Sequence, residues 1–371
     1  MNNTTSQMQR PPFVPPVPLV NAALRLRRFF LRAADAVVPP YMALVDRFMG
    51  AAHTSLVDVA ARLCIADHLK EGPLDAGELA RRCEADADTL ERVLRALVSI
   101  GVFKRLADGR FANNNVSRGM ITGSEHGVRG FVRFFGSRLV SSAWQELADT
   151  VRDGKSGFNR VHGRFVWDHM AEDEDLRSAF VEGMSSMTEV VAPAIAAAYP
   201  FGEVKTVCDV GGGVGIVLAA ILTRHPHLKG VLFDSESMIT EARAFLESRG
   251  VADRVTTVAG SFFDTVPRGC DAYVIKMVLH NWNDENALRI LRNCRAAMDP
   301  GQRLLIPDFL DEGEPFSTLV PFMDMAGLMV FGGGRERSPT VLAGLLEQTG
   351  FRFGRTWPLP GVQAVFEAIA V

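Results

Sequence analysis

The sequence predicts an α/β protein with a Rossmann-like, doubly wound domain, in which a mostly parallel sheet carries an antiparallel edge strand. A mainly helical domain with a winged helix precedes it. Three observations predict this. Apolar residues recur at three- and four-residue spacing from about residue 50 to 200. From about residue 203, short apolar runs alternate with helical stretches. One of these runs leads into a glycine-rich turn and a helix.

The predicted organisation is an N-terminal extension at 1–40, the helical winged-helix domain at 41–195 and the sheet domain at 196–371. Residues 1 to about 20 are polar and then proline-rich ("PPFVPPVP"), which predicts a disordered or polyproline-like segment. Five arginines follow in residues 21–48, where we expect a short amphipathic helix.

The winged helix is predicted from "LDAGELARRCEADADTLERVLRALVSIGVFKRLADGRFANN", which reads as helix, turn, helix and hairpin. Asp75 is placed to cap the first helix, with Glu78 as its capping-box partner. One face of the second helix is apolar, and Asp108-Gly109 is typical of a hairpin turn.

Composition excludes several classes of protein. The net charge is −3, and no apolar run approaches the length needed to span a bilayer. The N-terminus lacks the features of a secretory signal. Five scattered cysteines without a CxxC pair are typical of reduced thiols, which argues against a disulfide framework or a zinc site. We therefore expect a cytoplasmic protein that does not bind membranes.

The stretch "VCDVGGGVGIVLAAIL" predicts a strand, a tight glycine turn and a helix. The dinucleotide fingerprint would need glycine where Ile216 stands, and no P-loop lysine follows. Asp209 precedes the turn and suits a ligand with an ammonium group. Asp234 ends the next strand, where a carboxylate can bind ribose hydroxyls. S-adenosylmethionine (SAM) fits these features; the alternative is a purely structural turn.

Several ordered motifs carry a resemblance to a known family. They are "DVGGGVG", "FD", "AGSFFD", "KMVLHNWNDENALRIL" and "GGGRERSPTVLAGLLEQTGF", together with the winged-helix region before them. Over about residues 45–371 the chain resembles the class I SAM-dependent O-methyltransferases of the plant caffeic-acid type and their bacterial relatives from antibiotic and secondary-metabolite pathways.

The resemblance implies the cofactor contacts, with S-adenosylhomocysteine as the product. Gly211 and Gly213 would approach the methionine part, Asp234 would hold the ribose, Ser261 and Phe262 would lie beside the adenine, and Lys276 would lie near the cofactor. Ser261 stands where the family often has Asp. A hydroxyl still accepts a hydrogen bond from the adenine amino group, so weaker recognition is expected there.

By the same resemblance, His280 in "KMVLHNWND" is the general base. A phenol with a pKa of about 10 is mostly protonated at neutral pH, and a base with a pKa of about 6.5 can take its proton during methyl transfer. His280 follows an apolar, strand-like run, where α/β enzymes keep their chemistry. The alternative is a packed structural histidine.

Two acidic residues are candidates to orient His280. Asp308 follows the strand "RLLIP" where relatives usually carry Glu, and Glu336 in "GGRERS" matches the family's other acidic position. Which of them orients the base stays open. The alternatives are a turn residue for Asp308 and a solvated charge between Arg335 and Arg337 for Glu336.

An aromatic acceptor needs an adaptable apolar wall, for which Met and Phe are suited. The candidates are Phe180, Met184, Met325 and Phe331. Ordinary core packing is the alternative for each of them. "HPH" at 225–227 is interpreted as a loop, and no metal is expected.

The predicted function is methyl transfer from SAM to a hydroxyl, phenolic by expectation, of an aromatic secondary metabolite. One alternative is a C- or N-methyltransferase or a non-methylating relative. Another is a winged-helix regulator with SAM as effector. The candidate recognition helix has a balanced face, with two acidic and two basic residues, so no nucleic-acid binding is expected. The resemblance implies a homodimer joined through the winged-helix region.

Overall fold

The computed structural model describes residues 14–124, 127–310 and 318–371. These form two compact units. The helical unit contains Arg28–Val190 and Leu328–Gly333, and the sheet unit contains the described residues of Met1–Arg27, Val191–Gly327 and Gly334–Val371. The predicted domain boundaries remain a prediction.

The helices are α1 Val17–Ala36, α2 Pro40–Phe48, α3 Gly50–Arg62, α4 Ile65–His68, α5 Ala76–Arg82, α6 Ala87–Ser99, α7 Arg129–Gly136, α8 Arg138–Ala143, α9 Leu147–Asp153, α10 Gly157–His162, α11 Val166–Glu172, α12 Glu174–Ala198, α13 Ile216–Arg224, α14 Glu236–Ser248, α15 Asp284–Ala297, α16 Leu319–Met329 and α17 Pro339–Glu347. The strands are β1 Phe103–Arg105, β2 Phe111–Asn113, β3 Thr206–Val210, β4 Lys229–Asp234, β5 Val255–Ala259, β6 Ala272–Val274, β7 Arg303–Phe309, β8 Phe351–Pro358 and β9 Gln363–Ala370.

The N-terminal segment differs from the prediction. Residues 1–13, which include Pro11 and Pro12, lie outside the described residues. Helix α1 begins at Val17, inside the range expected to be disordered or polyproline-like. Pro18 is the second residue of this helix, where a missing N–H costs nothing. The N–H groups of Leu19 and Val20 both donate to the carbonyl of Pro16.

The helical unit contains the predicted helix-turn-helix and hairpin. Asp75 accepts a hydrogen bond from the backbone N–H of Glu78 at 2.8 Å and so caps α5, as expected. Strands β1 and β2 pair antiparallel after α6. The apolar face of α6 packs with this hairpin in one buried cluster, which includes Leu90, Leu94 and Phe103.

The sheet unit is built on seven strands in the order β5-β4-β3-β6-β7-β9-β8. The five strands from β5 to β7 are parallel, and β9 pairs antiparallel with β7 and with β8. The predicted fold class is confirmed. The antiparallel edge strand is β8, and β9 lies between β7 and β8.

Successive residues of the central strands belong to different cores. Cys208 and Tyr273 lie in one buried cluster, and their neighbours Val207 and Val274 lie in another. A sheet buried on both faces explains why these strands are continuously apolar. Since parallel strands end at one edge, the loops after β3, β4, β5, β6 and β7 share that edge.

Strand β6 is shorter than predicted. It ends at Val274, and His280 lies in a short 3-10 turn, Leu279–Asn281. Ladder-like hydrogen bonds continue from Ile275 to Leu305 and from Met277 to Pro307. Met277 then has φ +49°, a left-handed conformation that ends the extended run and turns the chain.

No helix in the described parts of the chain combines the length and apolar character that a bilayer crossing requires.

Candidate active site

The glycine turn links β3 to α13 and requires residues without side chains. Gly211 and Gly213 have φ of +68° and +58°. A Cβ atom on Gly211 would lie 2.9 Å from Cγ2 of Val278, and one on Gly212 would lie 2.5 Å from Cδ1 of Leu232. The turn is therefore tightly covered, and Gly212, which the sequence analysis did not single out, is as constrained as its neighbours.

Asp209 is the last but one residue of β3, and Asp234 is the last residue of the adjacent strand β4. Asp209 is buried, and its Oδ2 atom has no hydrogen-bond partner among the described residues. Burial and the nearby Asp234 raise the pKa of Asp209 to about 7. Asp234 accepts hydrogen bonds from the backbone N–H groups of Gly213 at 2.8 Å and Ser235 at 2.7 Å. Two acidic groups thus flank the glycine turn.

Phe262 lies beside the glycine turn, since a Cβ atom on Gly211 would be 3.4 Å from its ring. The Ser261 hydroxyl accepts a hydrogen bond from the N–H of Phe263 at 3.2 Å. Lys276 follows β6. Burial lowers the pKa of Lys276 to about 8, while Asp308 and Asp209 act in the opposite direction. Lys276 is therefore close enough to interact electrostatically with acids of both the glycine turn and the histidine cluster.

His280 is buried with two acidic side chains around it. Its Nδ1 atom lies 2.8 Å from Oε1 of Glu336 and 3.7 Å from Oδ1 of Asp308. Only the contact with Glu336 is short enough for a hydrogen bond. Burial acts to lower the pKa of His280, but Asp308 and Glu336 together outweigh it, so this pKa is raised. The sequence prediction that both acids lie beside His280 agrees with this geometry.

The three side chains also offer donor atoms that lie within 4.8 Å of one another, a set that could hold a metal ion. A proton on Nδ1 of His280 satisfies Oε1 of Glu336 without an ion, and a protonated nitrogen cannot ligate a metal. Oε2 of Glu336 is buried and has no hydrogen-bond partner among the described residues. The absence of a metal stays a prediction.

The loop of Glu336 contacts helix α16 and packs closely on the backbone of His280. The N–H of Glu336 donates to Oδ1 of Asp324 on α16 at 2.8 Å. A Cβ atom on Gly334 would lie 2.5 Å from the carbonyl oxygen of His280. Sequence reasoning missed Asp324 and Gly334. The glycine run before "RERS" was the available signal, because consecutive glycines often mark a close approach of two backbone segments.

Arg337 is a buried residue that the sequence analysis named only as a neighbour of Glu336. The alternative of a solvated Glu336 between two arginines does not fit, because Glu336 is buried and only 4% of the Arg337 side chain is exposed. Its guanidinium donates to the carbonyl oxygens of Leu279 and Trp282, which flank the His280 turn.

The acceptor candidates divide between the units. In the helical unit, the rings of Phe180 and Phe331 lie 6.2 Å apart, and Phe331 also stacks on Trp167 at 5.4 Å. Met184 is one helical turn after Phe180 on α12. Met325 lies on the part of α16 that belongs to the sheet unit. Sequence reasoning missed Trp167 and the adjoining Phe134 and Phe135, whose rings also approach Phe331.

Comparison with known proteins identifies the family. The O-methyltransferase domain matches residues 144–352, which is more than half of the chain. The chain belongs to the O-methyltransferase family. The O-methyltransferase dimerisation domain also matches, at residues 46–123. The predicted family and enzyme class are thereby confirmed.

Individual members of the O-methyltransferase family resemble the chain over most of its length. It is 39% identical to a mitomycin biosynthesis 6-O-methyltransferase of Streptomyces lavendulae, covering 84% of this chain and 89% of that protein. A solved structure of mitomycin 7-O-methyltransferase gives a TM-score of 0.85 at 36% identity, covering 92% and 100% of the two chains.

A further solved O-methyltransferase, from neocarzinostatin biosynthesis, contains SAM and 2-hydroxy-5-methyl naphthoic acid. It gives a TM-score of 0.76 at 32% identity, covering 86% of this chain and 96% of that one. Relatives at 32% and 35% identity are named as an N,N-dimethyltransferase of Streptomyces davaonensis and a hydroxylase of Streptomyces purpurascens. Proteins at this level of identity thus carry the names of different reactions.

Proposed function

We propose that the protein transfers a methyl group from SAM to a phenolic hydroxyl of an aromatic secondary metabolite, with His280 as the general base. The observation that carries this proposal is the buried hydrogen bond between His280 and Glu336, 2.8 Å long, at the sheet edge that also carries the glycine turn.

The residues of the glycine turn fit SAM. The buried Oδ2 atom of Asp209 lacks a partner among the described residues, and it suits the ammonium group of the cofactor. Asp234 ends β4, where a carboxylate can accept from ribose hydroxyls. We propose that the backbones of Gly211 and Gly213 approach the methionine part of SAM. We also propose that Ser261 and Phe262 lie beside its adenine and that Lys276 lies near the cofactor.

When bound, SAM supplies an electrophilic methyl group on a sulfonium. The protein has to remove a proton from the acceptor hydroxyl. With Glu336 ionised, Nδ1 of His280 keeps a proton and donates a hydrogen bond to Oε1 of Glu336, which leaves Nε2 to accept the hydroxyl proton. Glu336 and Asp308 then stabilise the imidazolium that forms, because both carboxylates lie within 3.7 Å of Nδ1. Glu336 is proposed as the orienting acid because it makes the hydrogen bond.

A flat aromatic acceptor is supported by the aromatic cluster of the helical unit. Phe180 and Phe331 are in this cluster, and aromatic rings prefer stacked or edge-to-face contacts with other rings. We propose Phe180, Met184, Met325 and Phe331 as acceptor contacts. The names of several relatives specify aromatic acceptors, which supports the same substrate class.

Incubation with SAM and a panel of phenols, hydroxynaphthoates and aromatic amines tests this function. Methylated products are measured by mass. We expect methylation of hydroxyl oxygen in at least one phenolic acceptor, reduced by about 10²- to 10⁴-fold in His280→Ala. Methylation of amines alone, or an unchanged rate in His280→Ala, would contradict the proposal.

We also propose a homodimer. The match to the dimerisation domain begins at residue 46, near the end of helix α2, and this helix has no buried residue. Tyr41, Leu44, Val45 and Phe48 are all more than half exposed. Large apolar side chains grouped in this way mark an interaction surface.

Light scattering of the wild type should give twice the chain mass. Phe48→Glu should shift it toward the monomer, and Val151→Glu is the control, because Val151 is equally exposed but lies outside the matched region. A wild-type monomer at micromolar concentration would refute the dimer.

A further inference from the structure

Arg337 is a buried arginine whose hydrogen bonds converge on the segment that carries His280. Its Nη1 donates to the carbonyl oxygen of Leu279 at 2.8 Å, and its Nη2 donates to that of Trp282 at 2.7 Å. Both Nε and Nη2 also donate to Oδ1 of Asp284, at 3.0 and 2.8 Å. One guanidinium thus holds residues on both sides of His280 and the first residue of helix α15.

The same arginine directly follows Glu336 in the chain. Glu336 can meet His280 only if its loop lies against the 3-10 turn of residues 279–281, which are more than 50 residues away in sequence. Besides the Glu336 hydrogen bond itself, an ion pair between Nη1 of Arg335 and Oδ2 of Asp284 spans 3.7 Å, but both side chains are largely exposed and such pairs contribute little. Gly334 also lies close to the His280 carbonyl. That contact prevents closer approach but does not stop the segments from separating. Arg337 supplies the attraction.

We propose that Arg337 is a positioning residue for the reaction. It keeps Nδ1 of His280 and Oε1 of Glu336 within hydrogen-bond distance of each other. This inference rests on the proposed role of His280 as the base. Arg337 itself touches neither reacting group. It acts through the backbone carbonyls on either side of His280.

The chemistry of the side chain explains why arginine is suited to this position. The planar guanidinium presents five N–H donors in a fixed fork and carries a positive charge. A lysine has one charged nitrogen and cannot reach two separate carbonyls and a carboxylate with the same geometry. The carboxamide of a glutamine reaches fewer acceptors, and it has no positive charge to attract the carboxylate of Asp284.

The experiment compares Arg337→Gln and Arg337→Lys with a matched control, Arg295→Gln. Arg295 also ties backbone segments of the sheet unit together, donating to the carbonyls of Gly350 at 3.0 Å and Met298 at 2.8 Å. Its contacts do not include the His280 turn. Calorimetry with S-adenosylhomocysteine and thermal unfolding establish that each variant is folded.

We expect Arg337→Gln to lower kcat by about 10- to 100-fold with little change in the KM for SAM, and Arg337→Lys to lose less. The rising limb of the kcat profile should move to lower pH in both, because the carboxylates that raise the pKa of His280 are less well aligned. Arg295→Gln should keep the wild-type kcat and profile even if its melting temperature falls. If Arg337→Gln is not recovered folded, the lysine variant carries the test.

A double-mutant cycle with Glu336→Gln decides how Arg337 acts. If Arg337 acts through the hydrogen bond between His280 and Glu336, adding Arg337→Gln to Glu336→Gln should lower kcat by less than about threefold. Full additivity of the two losses would overturn the inference, as would a wild-type kcat and pH profile in Arg337→Gln. If His280→Ala itself keeps the wild-type rate, the proposed function fails first, so the two failures are distinguishable.

Discussion

Replacing Glu336 by Gln removes one charge from the histidine cluster and keeps the shape of the side chain. Only 3% of the Glu336 side chain is exposed, so its interaction with His280 is poorly screened by solvent. A hydrogen bond to a charged group contributes about 1.5–3 kcal/mol, and about 1.4 kcal/mol corresponds to tenfold in rate. Because the imidazolium forms as the acceptor loses its proton, we expect turnover to fall by about 10- to 150-fold.

The pH dependence should change in a definite direction. Burial acts to lower the pKa of His280, and the two carboxylates raise it above its ordinary value. With one carboxylate neutralised, this pKa falls, so the base is deprotonated at lower pH. The rising limb of the kcat profile should therefore shift to lower pH and reach a lower plateau. Methylated product is measured by mass at saturating SAM across pH 5 to about 9.

Asp308→Asn is the matched comparison. Oδ1 of Asp308 is 3.7 Å from Nδ1 of His280, which is beyond hydrogen-bond distance. Asp308→Asn should therefore lower turnover less than Glu336→Gln does. S-adenosylhomocysteine affinity should be unchanged in Glu336→Gln, which shows that the fold is intact. A wild-type rate and pH midpoint in Glu336→Gln, with a large loss in Asp308→Asn, would show that the wrong acid has been assigned.

Three further predictions concern other parts of the site. S-adenosylhomocysteine binding near pH 7 should release a proton, because the pKa of Asp209 is raised to about 7 and the ammonium group of the ligand lowers this pKa. Calorimetry in two buffers detects the released proton. Proton release that persists in Asp209→Asn would contradict this prediction. Gly334→Ala should lower turnover and melting temperature, because a Cβ atom would lie 2.5 Å from the His280 carbonyl oxygen. The control is Gly344→Ala, where a Cβ atom would meet nothing within 4 Å, and this change should be neutral or stabilise the fold by up to about 1 kcal/mol. Phe331→Ala should raise the KM for the aromatic acceptor by about tenfold or more and leave that for SAM unchanged, and an equal rise in both would remove Phe331 from the acceptor contacts.

Local spacing was sufficient to predict the elements that lie close together in sequence. The glycine turn, with Asp209 before it and Asp234 at the next strand end, follows from the strand–turn–helix pattern, because parallel strands end at a common edge. The helix-turn-helix with its Asp75 cap is local in the same way. His280 was also singled out correctly as a residue of this edge, although its 3-10 turn was predicted as a strand end.

Tertiary structure alone decided what depends on packing between distant segments. Asp308 and Glu336 were equal candidates in sequence, and a difference of about 1 Å in their distances to His280 separates them. The burial of Arg337 could not be predicted, because alternating charges such as those in "RERS" are typical of a solvated loop. The insertion of β9 between β7 and β8 could not be predicted either, since strand order depends on hydrogen bonds between segments about 60 residues apart and not on local periodicity.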